Sequence, residues 1–156
     1  MKLYTSFYGN LRNIPSEFFI VSASRGLTEE LKMAVDSWDI DLAPTQSIFH
    51  DYKNDGDWAK YVMRFKADVL PKIDWLEKLE KWEETANKLN KYVDNIVILC
   101  YESPFDNCGK GQFCHRFILA EHFEKEFKTE VKEYGYENMV RDNYKLTLAN
   151  NMDILF

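Results

Sequence analysis

The sequence predicts an α/β domain built on a mostly parallel sheet of about four strands. Short apolar segments alternate along the chain with amphipathic helical segments, a pattern typical of parallel sheets covered by helices. Residues 17–22 and 95–101 are almost continuously apolar, as expected of strands buried on both faces. The chain has 156 residues and is 46% hydrophobic, which is enough to form a single buried core.

The N-terminal part supplies two of these strands. Residues 3–8 alternate in polarity and predict the first strand, and residues 17–22 predict the second. The second strand leads into Ala23-Ser24-Arg25-Gly26. Thr28 is placed to cap a short helix, which the segment from Trp38 to Pro44 ends.

The middle of the chain is predicted to be helical. Helices are expected over 47–53 and 57–69, and a third is expected to begin near Pro71 and continue to Leu89. The second has one apolar stripe at spacings of three and four: Trp58, Tyr61, Val62, Phe65 and Val69. We interpret the aromatic residues of these helices as core rather than as a stacking surface, because the charges beside them are mixed in sign.

The C-terminal part begins with the strongest predicted strand, residues 95–101. A helix with an apolar inner face is predicted over 116–128, followed by a short edge strand over 130–134. We therefore predict a domain over 1–134. Residues 135–156 form a C-terminal tail, expected to dock as a helix or a hairpin.

Charge and composition limit the classes of function. The net charge is −6 and no basic cluster is present, so binding to duplex nucleic acid is not expected. The negative net charge does not exclude binding of a small anionic ligand where the protein has local positive charge. No apolar segment is long enough to span a bilayer and no signal peptide is recognisable, so we expect a cytoplasmic protein, without membrane association, whose 3 Cys are reduced.

Polar side chains cluster at the predicted strand ends. The carboxyl ends of parallel strands meet at one edge of a sheet, where α/β proteins bind ligands. The residues expected at this edge are Tyr8, Ser22, Ser24, Arg25 and Glu102, together with Cys114, His115 and Arg116 at the start of the following helix. The sequence therefore predicts a pocket that draws on distant parts of the chain.

Two readings stay open for the charged residues of this pocket. Arg116 and Arg25 would each bind an anion through the guanidinium group, or form an ion pair with a nearby acid. Glu102 would act in acid–base chemistry or accept a ligand hydroxyl, or it would only orient Arg116 or the loop amides.

Cys114 and His115 are candidates for catalysis at the same helix start. A thiolate nucleophile is conceivable there, because helix N-termini and cationic neighbours lower thiol pKa values. The spacing of Cys108 and Cys114 to Arg116 does not match a phosphatase loop, which favours a packed thiol. As metal ligands, Cys108, Cys114 and His115 fall one short of a closed zinc site, so the sequence assigns no metal and identifies no cofactor.

The motifs at this site resemble those of a known family. The order Leu99-Cys100-Tyr101-Glu102, Pro104, Phe113-Cys114-His115-Arg116 is similar to that of the bacterial and phage "domain of unknown function" family four-eight-eight. The segments 4–12, 22–26 and 42–45 resemble a subgroup of it. The resemblance covers about residues 1–134 and implies a three-layer Rossmann-like fold.

One segment departs from the family pattern. The loop between Glu102 and Cys114 is longer than usual, with residues 107–112 as the apparent insertion. Its glycines and Lys110 would add phosphate contacts, or the loop would form a flap. Because the family is named for its missing function, the resemblance implies a fold rather than an activity.

These observations lead to two functional hypotheses. The first is a site for an anionic small molecule, a nucleotide or phosphorylated metabolite, in a hydrolase or transferase. Arg116, Arg25 and Lys110 would bind the anion, and Tyr8, Ser22 and Ser24 would line the pocket. The alternative is a noncatalytic accessory protein of a phage or mobile element that binds a ligand or a host protein.

Overall fold

A five-stranded parallel sheet organises the protein. The computed structural model describes residues 1–103, 114–142 and 145–148. The strands are β1 (Lys2–Phe7), β2 (Phe19–Ser22), β3 (Ser37–Trp38), β4 (Asn95–Cys100) and β5 (Lys132–Glu133), in the order β3-β2-β4-β1-β5. All four pairings are parallel. The predicted α/β, Rossmann-like class is confirmed.

The sheet gains its fifth strand where the sequence predicts only the end of a helix. Ser37 and Trp38 pair with Val21 and Ser22 along the outer side of β2. A two-residue strand carries no periodicity of its own, so only the pairing reveals it.

The helices are α1 (Glu29–Ala34), α2 (Gln46–Asp55), α3 (Trp58–Asp68), α4 (Trp75–Lys88) and α5 (His115–Phe127). The predicted cap is confirmed, since the Thr28 side chain accepts a hydrogen bond from the backbone N–H of Leu31. The third predicted helix begins later than expected. Pro71 lies in a separate 3₁₀ turn, and α4 begins after Asp74, whose side chain caps it. None of the described helices has the length and apolarity needed to cross a membrane.

Alternate residues of β4 belong to different cores. Ile96 and Ile98 pack in the larger cluster, which contains the buried rings of α3, α4 and α5. Val97 and Leu99 pack on the opposite face with Ile20 and the residues around it. Burial on both faces therefore explains why the strand is apolar at every position.

The chain after Gly135 contains a second, two-stranded sheet. Strands β6 (Met139–Asp142) and β7 (Lys145–Leu148) pair antiparallel. The Arg141 guanidinium joins this hairpin to the main domain through Glu124 on α5, at 2.7 Å, and the Val131 carbonyl, at 3.1 Å. The division of the chain at residue 134 stays a prediction.

Asp39 connects the outer edge of the sheet to α4. Its carboxylate accepts hydrogen bonds from Lys78 Nζ at 2.8 Å, from the Trp82 indole N–H at 2.9 Å and from the Ser37 hydroxyl. Trp82 is 1% exposed, so its N–H depends on this acceptor. Lys78 also pairs with Asp41, a much more exposed acid, at 2.7 Å.

Replacing these two acids should have different effects on stability. Asp39→Ala leaves the buried indole N–H of Trp82 without its acceptor and takes one of two acids from the Lys78 ammonium, so it should lower the free energy of unfolding by about 2–4 kcal/mol. Asp41→Ala removes only an exposed partner and should lower it by less than about 1 kcal/mol. Urea unfolding of both variants measures the difference. Equal effects would contradict a structural role for Asp39.

Candidate functional site

A cavity of about 480 Å³ opens at the carboxyl ends of β2 and β4, beside the first turn of α5. This is the edge at which the sequence predicts a pocket. Its lining includes Ser24, Arg25, Cys100, Glu102, Cys114 and His115, with aromatic residues from α2 and α3 on the other side. Three of the predicted polar segments, the ends of β2 and β4 and the start of α5, therefore meet here.

Aromatic side chains form much of the wall: Phe49 and Tyr52 of α2, Trp58 and Tyr61 of α3, and Tyr101, which directly follows β4. Trp58 and Tyr61 stack with their ring centroids 4.8 Å apart. From the sequence, both of these α3 rings are predicted to belong to the core. That interpretation holds for Phe65, which is fully buried, but Trp58 and Tyr61 also face the cavity. Helical periodicity identifies the inner face of α3, and it cannot distinguish a core from a cavity wall.

The floor of the cavity consists of four polar side chains, Cys100, Glu102, Cys114 and His115. Cys100 Sγ lies 3.3 Å from Glu102 Oε2 and 3.7 Å from His115 Nδ1. Cys114 Sγ lies 4.0 Å from the same Nδ1. Cys100 is the member that sequence reasoning missed, because it ends an apolar strand and fits the pattern of a core residue.

The imidazole of His115 is held in one orientation. Its Nε2 lies 2.6 Å from the backbone carbonyl of Ala23, which follows β2. A carbonyl can only accept, so Nε2 carries a hydrogen. Nδ1 is the nitrogen near both thiols, and Cys100 Sγ is also 3.9 Å from Nε2. The Ala23 N–H in turn donates to Leu99 O at 3.0 Å, which ties the acceptor to β4.

Burial is the largest single influence on the pKa values of Glu102, Cys114 and His115. It raises the pKa of Glu102 to about 7, with a further contribution from Cys114. It also raises the pKa of the Cys114 thiol to about 12, with Cys100 adding to the shift. Burial acts to lower the pKa of His115, but Cys114, the Ala23 carbonyl and Glu102 outweigh it and raise that pKa. Cys114 is therefore a thiol at neutral pH, which favours the packed-thiol reading over a free thiolate.

Arg116 does not line the cavity; it is fully buried in an ion pair with Glu133 of β5. Its Nη2 donates to Glu133 Oε2 at 2.7 Å and its Nε to Oε1 at 3.2 Å. Thr5 on β1 donates to the same Oε1 at 2.8 Å. Of the two readings of Arg116, the ion pair is the one that the structure shows, and the acid is Glu133 rather than Glu102.

Of the remaining predicted site residues, some line the cavity and the others lie behind its lining. Ser24 and Arg25 line the cavity. Tyr8 and Ser22 lie behind it, where the Tyr8 hydroxyl bonds Ser22 Oγ at 2.5 Å and Ser24 Oγ at 2.8 Å. Burial raises the pKa of Tyr8 to about 12, so it stays a neutral phenol.

Two predictions fall on residues that the structure does not describe. Lys110, proposed for phosphate contacts, and Cys108, considered as a metal ligand, both lie in the segment 104–113 outside the described residues. The insertion at 107–112 lies there too.

Comparison with known proteins places the chain in a family. The model of the family DUF488-N3a, described as the active DUF488-N3 subclade, matches residues 17–127. That range includes the whole floor of the cavity and most of its walls. No curated protein and no solved structure matches the chain.

The ion pair below the cavity gives a testable prediction on stability. Glu133→Leu leaves the buried Arg116 charge unpaired and should lower the free energy of unfolding by about 3–5 kcal/mol. The double variant Arg116→Met/Glu133→Leu replaces the pair by apolar side chains. It should be more stable than Glu133→Leu alone by at least about 2 kcal/mol.

Urea denaturation of both variants measures these values. Lys81→Ala is the control, because it removes an exposed ion pair with Glu77 and should change stability by less than about 1 kcal/mol. A double variant no more stable than Glu133→Leu would show that the two side chains are not coupled.

Proposed function

Because the chain belongs to the DUF488-N3a family, the active DUF488-N3 subclade, we propose that the cavity binds a small anionic molecule with a planar ring and acts on it as a hydrolase or transferase. A nucleotide or a related phosphorylated metabolite has this combination of features. The observation that supports the proposal is the cavity itself, in which an aromatic wall faces a buried polar floor. The proposal includes a cytoplasmic location, where the free thiols of Cys100 and Cys114 would stay reduced.

The aromatic wall supports recognition of a ring. A cavity of about 480 Å³ is within the range of small-molecule sites. The rings of Tyr52, Trp58 and Tyr101 line the cavity, and a nucleobase would stack against their π-faces.

Arg25 supports recognition of an anion. Its Nη1 donates to the Pro44 carbonyl at 3.0 Å, which fixes the guanidinium at the cavity wall. The other nitrogens of the planar group are then available for the two oxygens of a phosphate or carboxylate. Since Arg116 is committed to Glu133, Arg25 is the arginine of the predicted pair that remains for this role.

The floor supports chemistry in addition to binding. Glu102 and His115 both lie beside the Cys100 sulfur, with their polar atoms 3.3 and 3.7 Å from it. A ligand stacked on the aromatic wall would place its substituents above this cluster. Glu102 would there accept a hydrogen bond or a proton from the attacking group.

A ligand screen tests the binding. Nucleotides, sugar phosphates and inorganic phosphate are added to the reduced protein, in parallel with and without a chelator, and the thermal midpoint is followed. A ligand at 100 times its Kd should stabilise the protein by about 2.7 kcal/mol. Arg25→Ala should weaken binding of that ligand by about tenfold or more, because it removes a charged hydrogen bond. The matched control Arg12→Ala, an exposed arginine outside the cavity lining, should leave binding unchanged.

Equal losses in the two arginine variants, or no stabilisation by any compound, would contradict the proposed site. A noncatalytic accessory protein is distinguished by Glu102→Gln. In an enzyme this variant should bind the ligand within about threefold of wild type yet lose most turnover, since only the chemical step uses the carboxylate. Conversion is followed by chromatography of the reaction mixture. If wild-type protein binds a nucleotide and leaves it unchanged, the noncatalytic alternative is favoured.

A further inference from the structure

Three side chains at the cavity floor have the chemistry of a transition-metal site. Cys100 at the end of β4 and Cys114 and His115 at the start of α5 each offer one ligating atom. These three atoms lie within 4.8 Å of one another, and all three residues are buried. Two thiols and an imidazole are the ligands that zinc and related soft divalent ions prefer over magnesium or calcium.

The distances match a tetrahedral ion. Zinc bonds to sulfur are about 2.3 Å and bonds to nitrogen about 2.0–2.1 Å, so ligand atoms around one zinc lie about 3.5–3.8 Å apart. His115 Nδ1 is 3.7 Å from Cys100 Sγ and 4.0 Å from Cys114 Sγ. The three ligand atoms lie within 4.8 Å of one another, so an ion bound between them would draw the two sulfurs together by up to about 1 Å.

The groups around these ligands also fit a metal site. Metal-bound histidines commonly donate their second ring N–H to a carbonyl or carboxylate, which fixes the tautomer. His115 makes this contact with the Ala23 carbonyl at 2.6 Å, which leaves Nδ1 as the ring nitrogen available to an ion. The Ser24 hydroxyl lies 4.0 Å from Cys100 Sγ and can donate to a thiolate there.

We propose that Cys100, Cys114 and His115 bind one zinc ion at the floor of the cavity, with the fourth coordination position open toward the cavity. Three protein ligands and an open position are typical of catalytic rather than structural zinc. Glu102, whose Oε2 is 3.3 Å from Cys100 Sγ, lies beside that position. An oxygen of water or of the ligand bound there would be polarised by the ion.

The inference shares its cavity with the proposed function and deepens it. The two are tested separately, because the ligand screen is carried out with and without chelator and the zinc experiment without any organic ligand. Zinc binding without nucleotide binding supports the metal site and contradicts the proposed function. Nucleotide binding by a protein that takes up no zinc supports the proposed function and contradicts the metal site.

The test is metal titration of the full chain, reduced with a phosphine. Cobalt replaces zinc as a spectroscopic probe, and we expect one equivalent with absorption from thiolate-to-cobalt charge transfer and from tetrahedral cobalt. Zinc should displace it. Cys100→Ser, Cys114→Ser and His115→Gln should each lower zinc affinity by more than about 100-fold, since losing even an outer partner of a ligand costs about 10–100-fold.

A matched control removes the same chemical group elsewhere: His50→Gln removes an exposed imidazole and should keep wild-type zinc affinity. Wild-type protein without the thiolate–cobalt band overturns the proposal even if the ligand variants fail to fold. A loss of zinc affinity in His50→Gln equal to that in His115→Gln also overturns it.

Discussion

The buried ion pair between Arg116 and Glu133 fixes the first turn of α5 against the sheet, and the geometry of the cavity floor depends on it. Arg116 directly follows His115 in the chain, so the contact that holds the guanidinium also sets the position of the imidazole. Thr5 of β1 donates to the same carboxylate, and the pair thus joins α5 to two neighbouring strands. Charge that is this well buried is stable only when it is paired, which makes the arrangement strongly specified.

The sequence predicts the long elements well and the short ones poorly. Strand β4 and helix α3 were predicted within two residues at each end, because burial imposes a period that extends over several residues. The pairing of Ser37 and Trp38 with β2 has no such pattern. The same limit explains α4, where Pro71 was assigned to the first helical turn but lies in a separate 3₁₀ turn.

At the candidate site, the sequence predicts which strand ends meet, but it does not predict which side chains contact each other. Parallel topology predicts that Ser24, Glu102 and His115 approach one another, and the structure brings them to one cavity. The partner of Arg116 could not be predicted, because the predicted edge strand contains two acids, Glu130 and Glu133, and its sequence does not reveal which of them faces α5. Cys100 is not among the predicted site residues, since one residue at the end of an apolar strand cannot reveal which way its sulfur faces.

The strand order has a consequence for how the protein is synthesised. The partners of β1 are β4 and β5, and its residue Lys2 pairs with Asn95. During translation β1 therefore has no partner of the native sheet until residues 95–100 have left the ribosome. Until then its backbone is an open edge of the kind that attracts wrong pairings. Chaperone protection of the nascent β1 segment would matter more for this topology than for a hairpin-based sheet, in which neighbouring strands emerge together.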